Sequence, residues 1–256
     1  MRDKADQVTG HTSMVILGLD TSTREGSLAL ARGTSITAAM SGNAARTHSE
    51  RLPGDIVTLV KDAGLALSDI DRFAVTVGPG PFTGLRVGIA TVQALALVHN
   101  RGIVPVSTLD AVARNRCEVT ADIKRILVWM DAQRGEIFAS LYACIGRDAV
   151  ACLEGPRVGA PMDILNDWAE QLSAEPVCVT GNGVANARTE LEVQLGTNAT
   201  FKTDVPPLAP TIARIAAKVG CVPVTPNAVQ PLYVRRPDAM LARERRLISA
   251  SRAAKQ

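Results

Sequence analysis

The sequence predicts an α/β protein whose sheets are partly parallel and whose plan is used twice. Along residues 14–107 apolar runs of strand length alternate with stretches of helical period, and residues 125–220 repeat that alternation more loosely. Size sets the bounds. A chain of 256 residues with 46% hydrophobic content fills one large domain or two modest ones, and 3% aromatics leave Ala, Val, Leu and Ile to build the core.

Each element has a local reason. MVILGLD (14–20) is an apolar run of strand length, and after the polar loop TSTREG come two further strands, GSLALAR and TSITAAM, with turn residues between them. HSERLPGDIVTLVKDAG (48–64) changes period: Leu52, Ile56, Leu59 and Val60 recur at helical spacing and Gly64 supplies a stop. Pro53 is expected in the first turn of that helix, where its missing N–H costs little. RFAVTVG (72–78) reads as a buried strand, 83–99 as a long helix and IVPVS (103–107) as another strand. In the second half RILVWMD (125–131) and EIFASLYAC (136–144) are strands around the turn AQRG. A third strand covers 150–154, a helix 162–173, a strand 176–180 and a helix 208–220 opened by Pro210.

Charge and cysteine usage exclude several classes. The net charge of +3 is misleading as a global property. Residues 235–256 hold seven Lys or Arg against two Asp or Glu, which leaves the other 234 residues at −2. Five cysteines, odd in number and without a C-x-x-C pair, argue against a disulfide framework or a zinc site and for a reducing compartment. The apolar stretch at 15–19 ends at Asp20, too short for a signal peptide, and no apolar run approaches membrane-spanning length. The expectation is a cytoplasmic protein with no membrane contact.

The strand–glycine-loop–helix at TVGPGPFTGLRVG (76–88) invites a phosphate cradle. A P-loop needs a lysine and a hydroxyl after its last glycine, and here Gly84 is followed by Leu85 and Arg86. The spacing of Gly78, Gly80 and Gly84 misses the dinucleotide fingerprint by one residue, and Pro79 and Pro81 each remove an N–H that an anion would use. The helix is more informative. Gly84 and Gly88 lie one turn apart, and each glycine inside a helix costs roughly 1 kcal/mol relative to alanine. Close approach of another element is the usual compensation. Leu85, Ile89, Val92 and Ala96 form an apolar stripe that faces either the sheet alone or, on a second side, a partner.

MVILGLDTSTREGSLAL, THSERLPGDIVTLVKDAG, VTVGPGPFTGLRVGIATVQALA and VPVSTLDAVA resemble segments of the TsaB family, bacterial accessory subunits for making threonylcarbamoyladenosine in tRNA. QPLYVRR (230–236) is similar to that family's P-x-Y-[LV]-R signature. The likeness is dense over 14–112, returns at 230–236 and is thin between. GPGPFTGLR after a strand is specific to this family and its catalytic sister, TsaD. The resemblance implies an actin/Hsp70-like (ribonuclease H-like) fold of two related α/β lobes. An N-terminal lobe spans 14–112, with helix 208–220 packing back on it, and a C-terminal lobe spans 113–205. A flexible extension (1–13) precedes them, and a terminal segment with its basic tail (221–256) follows.

The catalytic sister holds a metal with an H-x-x-x-H pair after the next strand. Those positions here are Thr108 and Val112, and His11, His48 and His99 are scattered, so neither a metal nor a catalytic residue is expected. His48 reads as a residue at the start of its helix. Asp20, Ser22, Gly181 and Gly183 match hairpins that hold nucleotide phosphates across the superfamily. They are expected as a vestigial nucleotide site, with ATP or ADP at the partner interface as an open alternative.

By resemblance the chain is a non-catalytic subunit that binds a TsaD-type catalytic subunit through helices 48–63 and 83–99, using Leu52, Ile56, Leu59, Gly84, Leu85, Arg86, Gly88, Ile89 and Val92, with Arg86 at the rim. A TsaE-type ATPase would dock on the pair, tRNA would be reached through the complex, and a homodimer would form when the partner is absent. The alternative is an independent ATPase or small-molecule kinase of the same fold, which needs Asp20, a second carboxylate and a base that no residue offers. A metalloprotease is disfavoured because no H-E-x-x-H occurs. ARERRLISASRAAK (242–255) is either a tRNA-phosphate contact or a solvated terminus.

Overall fold

A computed structural model describes residues 13–120 and 122–234. The extension 1–12 and the basic tail 235–256 lie outside the described residues. Ten strands form two five-stranded sheets. In the first, β1 (Val15–Asp20), β2 (Ser27–Arg32), β3 (Ser35–Ser41), β4 (Arg72–Gly78) and β5 (Gly102–Ser107) take the order β3-β2-β1-β4-β5. In the second, β6 (Arg125–Asp131), β7 (Ile137–Gly146), β8 (Ala149–Gly159), β9 (Val177–Thr180) and β10 (Ala199–Lys202) take the order β10-β9-β6-β7-β8. Read from its own first strand, each sheet has the same plan: an antiparallel meander of three strands, then two parallel strands added beside the first. Two lobes sharing this topology make the actin/Hsp70-like fold.

The helices divide by face. α1 (His48–Asp62) and α2 (Phe82–Val98) cover one side of the first sheet, where Leu52, Ile56, Leu59, Ile89, Val92 and Ala96 pack on Leu17, Leu19, Phe73 and Val75. On the other side, α3 (Thr108–Val119) and α7 (Ala209–Ala217) share a core with residues of both sheets, among them Ile16, Val106, Ile126, Met130 and Phe138. α4 (Pro161–Asp167), α5 (Ala169–Ser173) and α6 (Arg188–Leu195) close the far face of the second sheet around Trp129 and Trp168.

Several elements differ from the periodicity. α3, α6 and β10 have no counterpart among the expected elements. α3 carries buried polar residues where a core helix shows apolar ones. Arg116 pairs with Asp204 at 2.9 Å and donates from Nε to Thr180 Oγ1, and Asn115 donates to Thr211 Oγ1. Those partners are remote in sequence, so the pattern looks polar until the fold supplies them. α3 begins inside 14–112 yet packs largely on the second sheet. The single helix expected over 162–173 is interrupted at Trp168, which leaves helical ψ (ψ 14°) and is buried. β8 runs to Gly159, beyond the expected 150–154.

Pro53 is not in a first turn. The Glu50 side chain accepts the Thr47 N–H at 2.7 Å and starts α1 at His48, so Pro53 lies more than a turn inside. It is exposed there, where the Ser49 carbonyl it leaves unpaired can be hydrated.

Gly84 and Gly88 receive their compensation inside the lobe. A Cβ on Gly84 would stand 2.5 Å from the Thr21 carbonyl oxygen, and one on Gly88 would stand 2.1 Å from Thr21 Oγ1. Gly54, on the outer side of α1, has open space around it. Two substitutions should therefore move thermal unfolding in opposite directions. Gly88→Ala should lose roughly 1–3 kcal/mol by overpacking, and Gly54→Ala should gain up to about 1 kcal/mol from helix propensity. Equal effects would show that α2 does not lean on Thr21.

Candidate functional site: the cleft and the outer helix pair

Asp20 ends β1 and is buried. Its Oδ1 accepts from the Ser22 N–H (2.9 Å), Ser22 Oγ (2.6 Å) and Thr76 Oγ1 (2.8 Å), and its Oδ2 from Thr23 Oγ1 (3.0 Å). Four donors of its own chain leave this carboxylate little capacity for a magnesium-bound water. Ser22 is covered as well, since a Cβ on Gly80 would stand 2.9 Å from its carbonyl oxygen. The GPGPFTG loop thus lies directly on the β1–β2 hairpin at Ser22.

Gly181 and Gly183 face their own sheet. Added Cβ atoms would meet the Trp129 carbonyl oxygen at 2.3 Å and the Asp131 nitrogen at 2.9 Å. Asn182, between them, donates nothing to that packing and accepts the Asp131 N–H at 3.0 Å. Of the four residues expected as a vestigial nucleotide site, Ser22 lines the cavity between the lobes, while Asp20, Gly181 and Gly183 pack within their own lobes.

His48 is the first residue of α1 and spans to the hairpin. Its Nε2 donates to the Thr23 carbonyl at 3.0 Å, and its Nδ1 accepts from Nη2 of buried Arg51 at 2.9 Å. Burial first, and then the Arg51 charge, hold the imidazole below its ordinary value, against the opposing Thr23 bond and Asp20 charge. Arg51 also donates to the Glu25 carbonyl and pairs with Asp55 at 2.7 Å. The sequence reading missed Arg51, because nothing in an i, i+4 Arg–Asp pair signals burial.

Outside this cluster the chemistry is sparse. Thr108 and Val112, at the metal-pair positions of the catalytic sister, are buried on α3, and among the described residues no group of three or more His, Cys, Asp or Glu could hold a metal. Burial and the neighbouring Cys117 thiol push Cys144 up to about 12, so that cysteine stays protonated.

The expected partner-contact residues are largely interior. Leu52, Ile56, Leu59, Leu85, Ile89 and Val92 are buried in their own lobe, and Gly84 and Gly88 are turned to Thr21. Their helical spacing was the stripe that binds the sheet, so they cannot also present an outer surface. Only Arg86 is exposed, and it is held: its guanidinium lies 3.7 Å over the Phe82 ring, and Nε donates to Tyr233 Oη at 3.2 Å. Phe82 and Tyr233 stack at 5.2 Å, and the Leu232 N–H donates to the Val77 carbonyl at 2.7 Å. The QPLYV segment is thereby strapped onto GPGPFTGLR.

Among the residues that α1 and α2 present outward are apolar and small ones, Pro53, Gly54 and Val57 on α1 and Ala90, Ala94, Leu97 and Val98 on α2, with Leu97 56% and Val98 79% exposed, beside Thr58, Lys61 and Asp62. None of these was among the expected contact residues, although this face is the complement of the buried stripe.

A family model described as "TsaD: tRNA N6-adenosine threonylcarbamoyltransferase" matches residues 40–204. The tRNA threonylcarbamoyladenosine biosynthesis protein TsaB of Escherichia coli is 32% identical over 65% of this chain and 71% of its own length. The chain belongs to the TsaB family. An uncharacterized Mycobacterium leprae protein is 33% identical over 76% of this chain, which spans 46% of that longer protein. A crystal structure of a Pseudomonas aeruginosa protein with similarity to peptidase YeaZ superposes with TM-score 0.72 at 25% identity, covering 87% of this chain and all of that one. In this TsaB-family chain Gly80, Gly84 and Gly88 of the glycine motif pack against Ser22 and Thr21.

The His48 geometry sets a pH dependence. A histidine held below its ordinary value stabilises the fold fully above pH 6.5 and loses that contribution as pH falls through its folded value. Urea midpoints should fall between about pH 7.5 and about pH 5.5, and His48→Asn should remove much of that fall. A variant with the wild-type slope would locate the titration elsewhere.

Proposed function

We propose that this chain is the non-catalytic subunit of a complex that makes threonylcarbamoyladenosine in tRNA. The observation that carries the reading is the outer face of α1 and α2, an exposed apolar strip from Val57 to Val98 that a solitary soluble domain has no use for. A TsaD-type catalytic subunit docks there, and a second copy of this chain covers the same face when that subunit is absent. Arg86, exposed at the start of α2, sits at the rim. A TsaE-type ATPase joins the pair, and tRNA is reached through the complex, which works in the cytoplasm. The saturated Asp20 carboxylate supports a subunit without turnover of its own. Among the described helices none is long and apolar enough to cross a membrane. Any ATP or ADP at the partner interface belongs to this same proposal.

Co-purification with a TsaD-type subunit tests the docking face. Ala94→Glu or Leu97→Glu, each exposed in the free chain, should leave folding intact and weaken the complex by roughly a hundredfold through an unpaired buried charge. Leu85→Glu should instead unfold the lobe. Unchanged binding by both outer-face variants rejects this interface. ATP turnover by the purified chain should stay at background, and turnover abolished by Asp20→Ala would overturn the non-catalytic reading.

A further inference from the structure

The segment strapped onto GPGPFTGLR carries a feature that internal packing does not explain. The chain has eight aromatic residues, four Phe, two Trp and two Tyr. Phe73, Trp129, Phe138, Tyr142 and Trp168 are buried, and Phe201 is half-buried with the Arg188 guanidinium 4.1 Å over its ring. Only Phe82 and Tyr233 are exposed, each to 40%, and these two stack on one another. A core so poor in rings has left two of them together in solvent. Exposed aromatic rings in contact mark a surface that meets something flat or apolar.

The charge around the stack has one sign. Arg86 lies 3.7 Å over the Phe82 ring and donates to Tyr233 Oη, so a cation is built into it. The two stretches that carry the stack, 79–98 and 221–234, contain no Asp or Glu. Directly after them come residues 235–256, with seven Lys or Arg against two Asp or Glu, while the other 234 residues sum to −2. The excess positive charge of the whole chain therefore joins it two residues beyond Tyr233.

We infer that this surface binds single-stranded RNA, with an unpaired base extending the Phe82–Tyr233 stack and the basic residues beyond Val234 neutralising the phosphates beside it. Flat rings and cations together are what an unpaired base and its backbone require. An acidic peptide would need the charges and not the rings, and an apolar partner the rings and not the charges. A duplex keeps its bases stacked on each other and offers the rings nothing. The inference goes beyond the docking of a catalytic subunit, because it gives the non-catalytic chain an RNA contact of its own. That contact is measurable on the isolated chain, so its failure leaves the docking face untouched.

Fluorescence anisotropy of a short labelled oligouridylate with the full-length chain, against the same strand annealed to oligoadenylate, tests this. The single strand should saturate and bind roughly tenfold tighter than the duplex. Tyr233→Ala should weaken it by roughly tenfold, and Tyr233→Phe, which keeps the ring and drops the bond to Arg86, should bind as the wild type does. Deleting residues 238–256 should weaken binding and flatten the dependence of log Kd on log salt. A 4-thiouridine strand should photocrosslink to Phe82 or Tyr233 of the unaltered chain, a readout that survives if Tyr233→Ala unfolds. No saturable binding up to about 100 μM chain, equal affinity for the duplex, a folded Tyr233→Ala chain that binds like wild type, an unchanged salt slope after the deletion, or crosslinks only elsewhere each overturns the site. Loss of co-purification with the catalytic subunit in Tyr233→Ala, without RNA binding by the wild type, assigns the stack to a protein partner instead.

Discussion

The contact of α2 with the loop after β1 is the constraint on which the rest of the molecule hangs. Gly84 and Gly88 bring the helix axis onto Thr21, and Gly80 lays the preceding loop on Ser22. That approach is possible only because Asp20, Ser22, Thr23 and Thr76 satisfy one another beneath it. A carboxylate buried without donors would be costly in this position. Once α2 is seated, its apolar stripe must face the sheet, its opposite side must face outward, and its first turn must open into the cleft. The interior, the exposed outer face and the cavity are three consequences of one helix placement.

Duplication explains the frame in which that helix sits. Each lobe winds three antiparallel strands and adds two parallel ones, and α3 and α7 are enclosed between the two sheets. A helix covered on both sides cannot show the one-sided pattern of a surface helix. Its polar residues are paired across the lobes instead, as Arg116 is with Asp204 and Asn115 with Thr211. Between the lobes, Arg46 lies on one side of the cleft and Asp131 on the other.

The long amphipathic elements were legible in the sequence because burial on one face writes a period into the chain. β1, β4, α1 and α2 fall within a residue or two of the expected positions. The elements that escaped notice are those whose stability is tertiary. α6 and β10 are short, and α3 is helical with buried arginine and asparagine that only residues remote in sequence satisfy. At the candidate interface the same period misled. The stripe Leu52, Ile56, Leu59, Leu85, Ile89 and Val92 marks the inner faces of α1 and α2, since the strongest apolar signal belongs to the core.

By itself the sequence determined the fold class, the two-lobed repeat, the lack of a ligating histidine pair and the special standing of GPGPFTGLR, all matters of residue type and spacing along the chain. What the two glycines of α2 make room for was decided by tertiary structure alone. So were the saturation of Asp20 and the strapping of Tyr233 onto Phe82 and Arg86. Each depends on distances between residues far apart in the chain, and a hydrogen bond or a missing Cβ acts over a few ångströms that no one-dimensional period records.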